Sequence, residues 1–139
     1  MSRAGAGSPH GKKLYHLYVS DPIAYALAST SDRSAPVGLT LIKESHIALN
    51  PEVAGLNARS VSGAEPALVP GAVTDLFVMM KIGNAGMAET DAGWVYATAS
   101  PQGEIESIGM IESCIRCHEQ ADHDRLFGLA PATTVYFMY

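Results

Sequence analysis

The sequence predicts a mainly β (α+β) domain, an antiparallel sheet with a few short helices. Three observations carry that expectation. The apolar segments are short and separated by Gly, Pro or polar clusters. Several are rich in the aromatic and branched residues that suit a pleated surface. Neither a long amphipathic helix nor an internal repeat is visible. A chain of 139 residues can bury one real core and is short of needing a second. Residues 1–11 (MSRAGAGSPHG), mostly Gly, Ala and Ser, read as a flexible start, and 12–139 as a single domain.

Residues 13–19 (KLYHLYV) form the first expected strand. Ser20-Asp21-Pro22 then reads as a cap and first turn for a short helix through about Ala28. Residues 37–49 (VGLTLIKESHIAL) are expected to be a long strand. Residues 50–74 hold three of the eight prolines and little periodicity, so they read as a long irregular connection. Residues 75–82 (DLFVMMKI) form a strand, and 83–93 (GNAGMAETDAG) a turn-rich link. Then 94–100 and 104–111, joined through Pro101-Gln102-Gly103, read as a β-hairpin. A short helix is expected to start near Glu112 or Ser113.

Composition excludes several classes of function. Hydrophobic residues at 47% and charged residues at 17% are ordinary for a folded domain. The formal charge is −5 and the nine Lys and Arg are scattered, with Lys12-Lys13 the only basic pair. Neither nucleic acid nor an anionic membrane surface is an expected partner. No run is long and apolar enough for membrane insertion as a helix.

The chain's two cysteines lie in Cys114-Ile115-Arg116-Cys117-His118, so a framework of disulfides is excluded and the pair is local chemistry. Cys-x-x-Cys-His is the pattern of covalent haem attachment. On one helical turn two sulfurs reach two vinyl groups on one porphyrin edge, while the adjacent histidine meets the iron. A zinc site needs further ligands, and His10, His16, His46 and His123 show no paired finger spacing. A thioredoxin-like pair belongs after an early βα unit. The expected cofactor is therefore one covalent haem c, held by Cys114 and Cys117 with His118 as iron ligand. Such attachment takes place outside the bacterial cytoplasm. Residues 1–11 lack the apolar core of a signal peptide, so a periplasmic or otherwise exported protein is expected, with its leader absent from this sequence. Small electron-transfer cytochromes carry the motif early with a downstream methionine ligand, whereas here only Met138 follows it.

The segments DLFVMMK, GWVYATASPQGEI and ESCIRCHEQADHDRLFG, in that order, resemble the cytochrome P460 / cytochrome c′-β family of small mono-haem sheet proteins. Upstream, LYHLYVSDPIAY and VGLTLIKES extend the likeness over most of residues 14–128. The resemblance implies haem packed against the sheet, His118 on one side of a five-coordinate iron, and the other side open to a small nitrogen-oxide or gaseous ligand. In the P460 branch a second-strand lysine is bonded to the porphyrin, and Lys43 is the matching residue. Alternation independently puts Leu39, Leu41, Lys43 and Ser45 on one face, with Thr40, Ile42, Glu44 and His46 on the other. Alternation alone also allows Lys43 to reach for solvent from a strand end.

Hydroxylamine-oxidising members have a carboxylate on the third strand near the open iron face. The matching position here is Phe77, with Asp75 the nearest acid on the same face; Phe77 cannot accept a proton. No catalytic residue is assigned. Tyr15 matches a distal position that could donate a hydrogen bond, and core packing is an equal reading. Met79, Met80, Met87 and Met110 read as packing, and His16 and His46 as surface or supporting residues. The leading expectation is oxidation of hydroxylamine or nitric oxide with electrons passed to a soluble redox partner. The alternative is a non-catalytic c′-β-like protein for gas binding or electron transfer. A homodimer is consistent with the resemblance, on which no residue decides.

Overall fold

The computed structural model describes residues 2–3, 13–50, 68–128 and 135–137. The elements are β1 (Ser2–Arg3), β2 (Lys13–Val19), α1 (Pro22–Thr30), β3 (Thr40–Leu49), β4 (Val69–Lys81), β5 (Trp94–Ala99), β6 (Ile105–Gly109), α2 (Glu112–His118) and β7 (Val135–Phe137). β1 through β6 lie in chain order in one sheet, antiparallel throughout. β7 adds to β2 in parallel beside residues 17–19, while β1 covers residues 14–15. The opening segment thus contributes a two-residue strand; residues 4–12 lie outside the described residues.

Antiparallel neighbours follow from the short connections. α1 starts where the sequence signals it, since the Asp21 carboxylate accepts a hydrogen bond from Ala24 N at 2.9 Å and Pro22 opens the first turn. It closes as Thr30 and Ser31 hydroxyls donate to the carbonyls of Ala26 and Leu27. Gly93, with φ +88°, is needed where β5 begins, because a Cβ there would meet the Gly83 carbonyl oxygen at 2.1 Å.

Two expected boundaries move by three residues or more. β3 begins at Thr40, because Pro36, Val37 and Gly38 form a turn in which Leu39 N donates to Pro36 O. β4 runs back to Val69, six residues into the segment expected to be irregular. Pro70 and Gly71 disguise this stretch, and register shifts on either side of His46 let it pair despite them. Residues 51–67 of the expected connection lie outside the described residues.

One sheet face carries the core. Val19, Leu41, Met79 and Tyr96 form a cross-strand row, each 5% exposed or less. Tyr25 and Ala28 of α1, with Ala35, Leu39, Trp94 and Leu126, complete it. Burying each large apolar member contributes about 1.5–3 kcal/mol. Met79 is in this row, whereas Met80, Met87 and Met110 are exposed.

Candidate haem site

The next row on that face contains Leu17, Lys43, Phe77 and Thr98, in direct register. Beyond it come Tyr15, Ser45 and Asp75. Phe77, not Asp75, is therefore the cross-strand partner of Lys43. The Lys43 amine lies 4.7 Å from the centre of the Phe77 ring and 5.8 Å from that of Tyr15. Asp75 is paired instead with Lys13 at 2.6 Å. Burial pushes the Lys43 ammonium below its ordinary range. Negative charge on Cys117 or Cys114 would act the other way, and so would Asp75. The register puts Lys43 on the same sheet face as Leu41 and its partner Met79, against whose core Cys114 and Ile115 of α2 pack.

α2 brings Cys114, Cys117 and His118 together. Both cysteines are free thiols, Cys117 exposed and Cys114 half-buried, and no residue of the helix is buried. Burial pushes the Cys114 thiol above its ordinary range. His118 is aimed by its Nδ1, which donates to the Arg125 carbonyl at 2.7 Å. That bond fixes the proton on Nδ1 and leaves the lone pair on Nε2, the arrangement a metal-ligating histidine requires. Burial also pushes His118 below its ordinary range, which favours the neutral imidazole.

Residues that sequence reasoning missed hold the Arg125 carbonyl in place. Asp124 and Arg125 both have positive φ, 39° and 63°, a strained conformation for these residue types that persists only where neighbours enforce it. Arg125 Nε donates to both oxygens of Asp91, at 2.9 and 3.1 Å. Tyr96 OH donates to Asp91 at 2.7 Å, and its ring lies 5.5 Å from the His118 ring. Burial, with the Asp91 hydrogen bond, pushes the Tyr96 hydroxyl well up, so it stays protonated. Asp124 accepts from Lys81 at 2.8 Å, from Trp94 Nε1 at 3.3 Å and from Ala35 N at 2.6 Å. Lys81 is 1% exposed. Its inward position was readable, since alternation puts it on the face of Phe77 and Met79, but its partner was not.

These features fit a haem: two free thiols at attachment spacing, a histidine with its outer nitrogen already engaged, and an apolar-lined sheet face opposite. They define a small antiparallel-sheet protein with a helix-borne haem-attachment motif. The family model described as Cytochrome P460 matches residues 2–128, and the chain belongs to that family. Membership implies a haem protein. No curated protein matches the chain.

Proposed function

We propose that this protein is a P460-type mono-haem cytochrome that binds hydroxylamine or nitric oxide at a five-coordinate iron and oxidises it, passing electrons singly to a soluble acceptor. Export from the cytoplasm, where thioether attachment occurs, belongs to the same reading. Cys114 and Cys117 would hold the haem as thioethers and His118 Nε2 would bind the iron. Bound haem supplies a redox-active iron with an open coordination position. Arg125 keeps the imidazole aligned through its carbonyl, and Tyr15 and Phe77 line the sheet face on which Lys43 stands.

The observation that carries the proposal is the placement of Lys43. Its amine lies over the Phe77 ring, on the sheet face whose core Cys114 and Ile115 of α2 pack against. Burial disfavours the ammonium form of Lys43, and thioether sulfurs would carry no charge to oppose it. An uncharged amine is the nucleophile that attack on an oxidised porphyrin edge requires: the new N–C bond would replace one amine N–H and one ring C–H, releasing two protons and two electrons to an oxidant of the peroxide class. Lys43 is thus proposed as a third covalent attachment. Tryptic digestion of the haem-loaded protein should yield no free peptide ending at Lys43, and the haem peptide should carry the mass of residues 34–59. Lys43→Leu should move the Soret band toward that of an ordinary five-coordinate haem c with both thioethers intact. A free peptide ending at Lys43 in the wild type would sink the cross-link.

Phe77 favours a second reading, a c′-β-like protein that binds nitric oxide or carbon monoxide without turnover. It occupies the position beside Lys43, and the nearest carboxylate on that face, Asp75, is engaged by Lys13. Steady-state oxidation of hydroxylamine with an artificial acceptor separates the two, since only the first predicts turnover.

A further inference from the structure

On the sheet face opposite Lys43, His16 of β2 stands directly across from Glu44 of β3, and His46 lies one step along the same face. One ligand atom from each falls within 4.8 Å of the other two. His16 Nδ1 is 3.2 Å and His46 Nε2 is 2.9 Å from Glu44 Oε1. Three ligands about 2.0–2.1 Å from one tetrahedral ion lie roughly 3.3 Å apart, so these separations are near those of a shared metal.

The second nitrogen of His46 supplies the independent observation. His46 Nδ1 is 2.9 Å from the Gly71 carbonyl oxygen, which can only accept, so Nδ1 carries a proton. Nε2 then presents its lone pair to a carboxylate oxygen, which is also an acceptor. Two acceptors at 2.9 Å need a cation between them, a proton or a metal ion. A histidine that donates one ring N–H to a backbone carbonyl while the other nitrogen faces a carboxylate has the outer-shell support of a metal ligand. Tyr18 adds a further partner, its hydroxyl donating to Glu44 Oε1 at 3.3 Å. Register shifts bracket His46 on β3, and Gly71 of β4 approaches closely enough that a Cβ there would collide with the Leu49 side chain at 2.8 Å. Such irregularities re-aim a side chain where a regular ladder would not. The side chain of His46 is 9% exposed, that of His16 19% and that of Glu44 24%, which shields the cluster but leaves access from solvent.

We propose that His16, Glu44 and His46 form a binding site for one divalent transition-metal ion of the zinc class, on the side of the sheet away from the haem. Two imidazoles and a carboxylate suit that class, with a fourth position left for water. The site is independent of the haem reading.

The test uses the haem-loaded full chain, stripped with a chelator and dialysed against zinc chloride, with zinc and iron counted separately by mass spectrometry. The wild type should retain one zinc per chain. His16→Ala removes the more exposed histidine and should weaken zinc binding by more than roughly 100-fold, beyond the about 10–100-fold carried by outer-shell partners. His46→Gln should do the same, and circular dichroism with the haem spectrum would show that both variants fold. Tyr18→Phe should weaken binding by less than either. If the wild type retains no zinc, the cluster is held by hydrogen bonds alone and the proposal is overturned. It is equally overturned if His16→Ala retains zinc as tightly as the wild type.

Discussion

The surroundings of His118 and those of Lys43, two regions on one face of the sheet, are built on different principles. Around His118 a chain of polar groups is answered link by link: Nδ1 by Arg125, Arg125 by Asp91, Asp91 by Tyr96, and Asp124 by Lys81 and Trp94, all within 3.3 Å. Around Lys43 the contacts are aromatic faces, and among the described residues its amine has no hydrogen bond or ion pair. A metal ligand must be pointed, and a network of mutually dependent hydrogen bonds points it. On the reading proposed above, His118 is the ligand to be pointed, and Lys43 is an amine left without a partner that would hold its proton.

The largest test of this contrast is Asp124→Ala. It leaves the Lys81 ammonium buried and unpaired, and a loss of about 3–5 kcal/mol is expected, read as a lowered urea midpoint. Next, Asp91→Ala takes the partner from both Arg125 and Tyr96. We expect a loss of about 2 kcal/mol, with a changed haem spectrum as His118 loses its alignment. A spectrum identical to wild type would show that the Asp91–Arg125 pair does not aim the ligand. Tyr25→Phe should cost about 1 kcal/mol, because its hydroxyl ties α1 to the Phe127 carbonyl beside the same loop. Burial pushes that hydroxyl up to about 12, so it donates across the ordinary pH range. Smallest is Lys43→Leu, which removes a partly buried ammonium with no hydrogen bond among the described residues and puts an apolar side chain on an apolar face, so it should lower the stability of the haem-free chain by no more than about 0.5 kcal/mol. Thermal melts that showed Lys43→Leu as damaging as Asp91→Ala would break the comparison.

The unequal legibility of the two regions has the same origin. Strand alternation is local, so it grouped Lys43 with Leu39 and Leu41, and Phe77 with Met79, but it left Lys43 able to reach for solvent, and the resemblance supplied the inward reading; the helix that carries Cys114, Cys117 and His118 was readable from the motif. Asp21-Pro22 announced α1 through the chemistry of the cap itself. The His118 network was not readable, because Lys81, Asp91, Asp124 and Arg125 are single charges in the sequence. What makes them a unit is the folding of the 119–126 loop over the start of β5. The early part of β4 was hidden for a different reason. Pro70 and Gly71 signal a break, and only the bulged register opposite His46 reconciles them with a strand. That same bulge aims His46 at Glu44, so the second cluster and the misread boundary have one cause. The parallel pairing of β7 with β2 had no local signature.

The register that sets Lys43 opposite Phe77 also imposes an order in time. Cys114, Cys117 and His118 share one short helix and meet as soon as a single turn forms. Lys43 belongs to a strand far upstream, and its amine reaches the same face only after β3 has paired with β4 and β4 with β5. Contacts between distant segments form late, since a long loop must close first. The two sulfurs are therefore available on a chain still assembling, whereas Lys43 arrives only in molecules whose sheet has found its alignment. On the reading proposed above, the lysine bond is a durable record of completed folding. A chain slipped by one residue at β3 would turn Lys43 to the opposite face and would keep its two thioethers without acquiring the third bond.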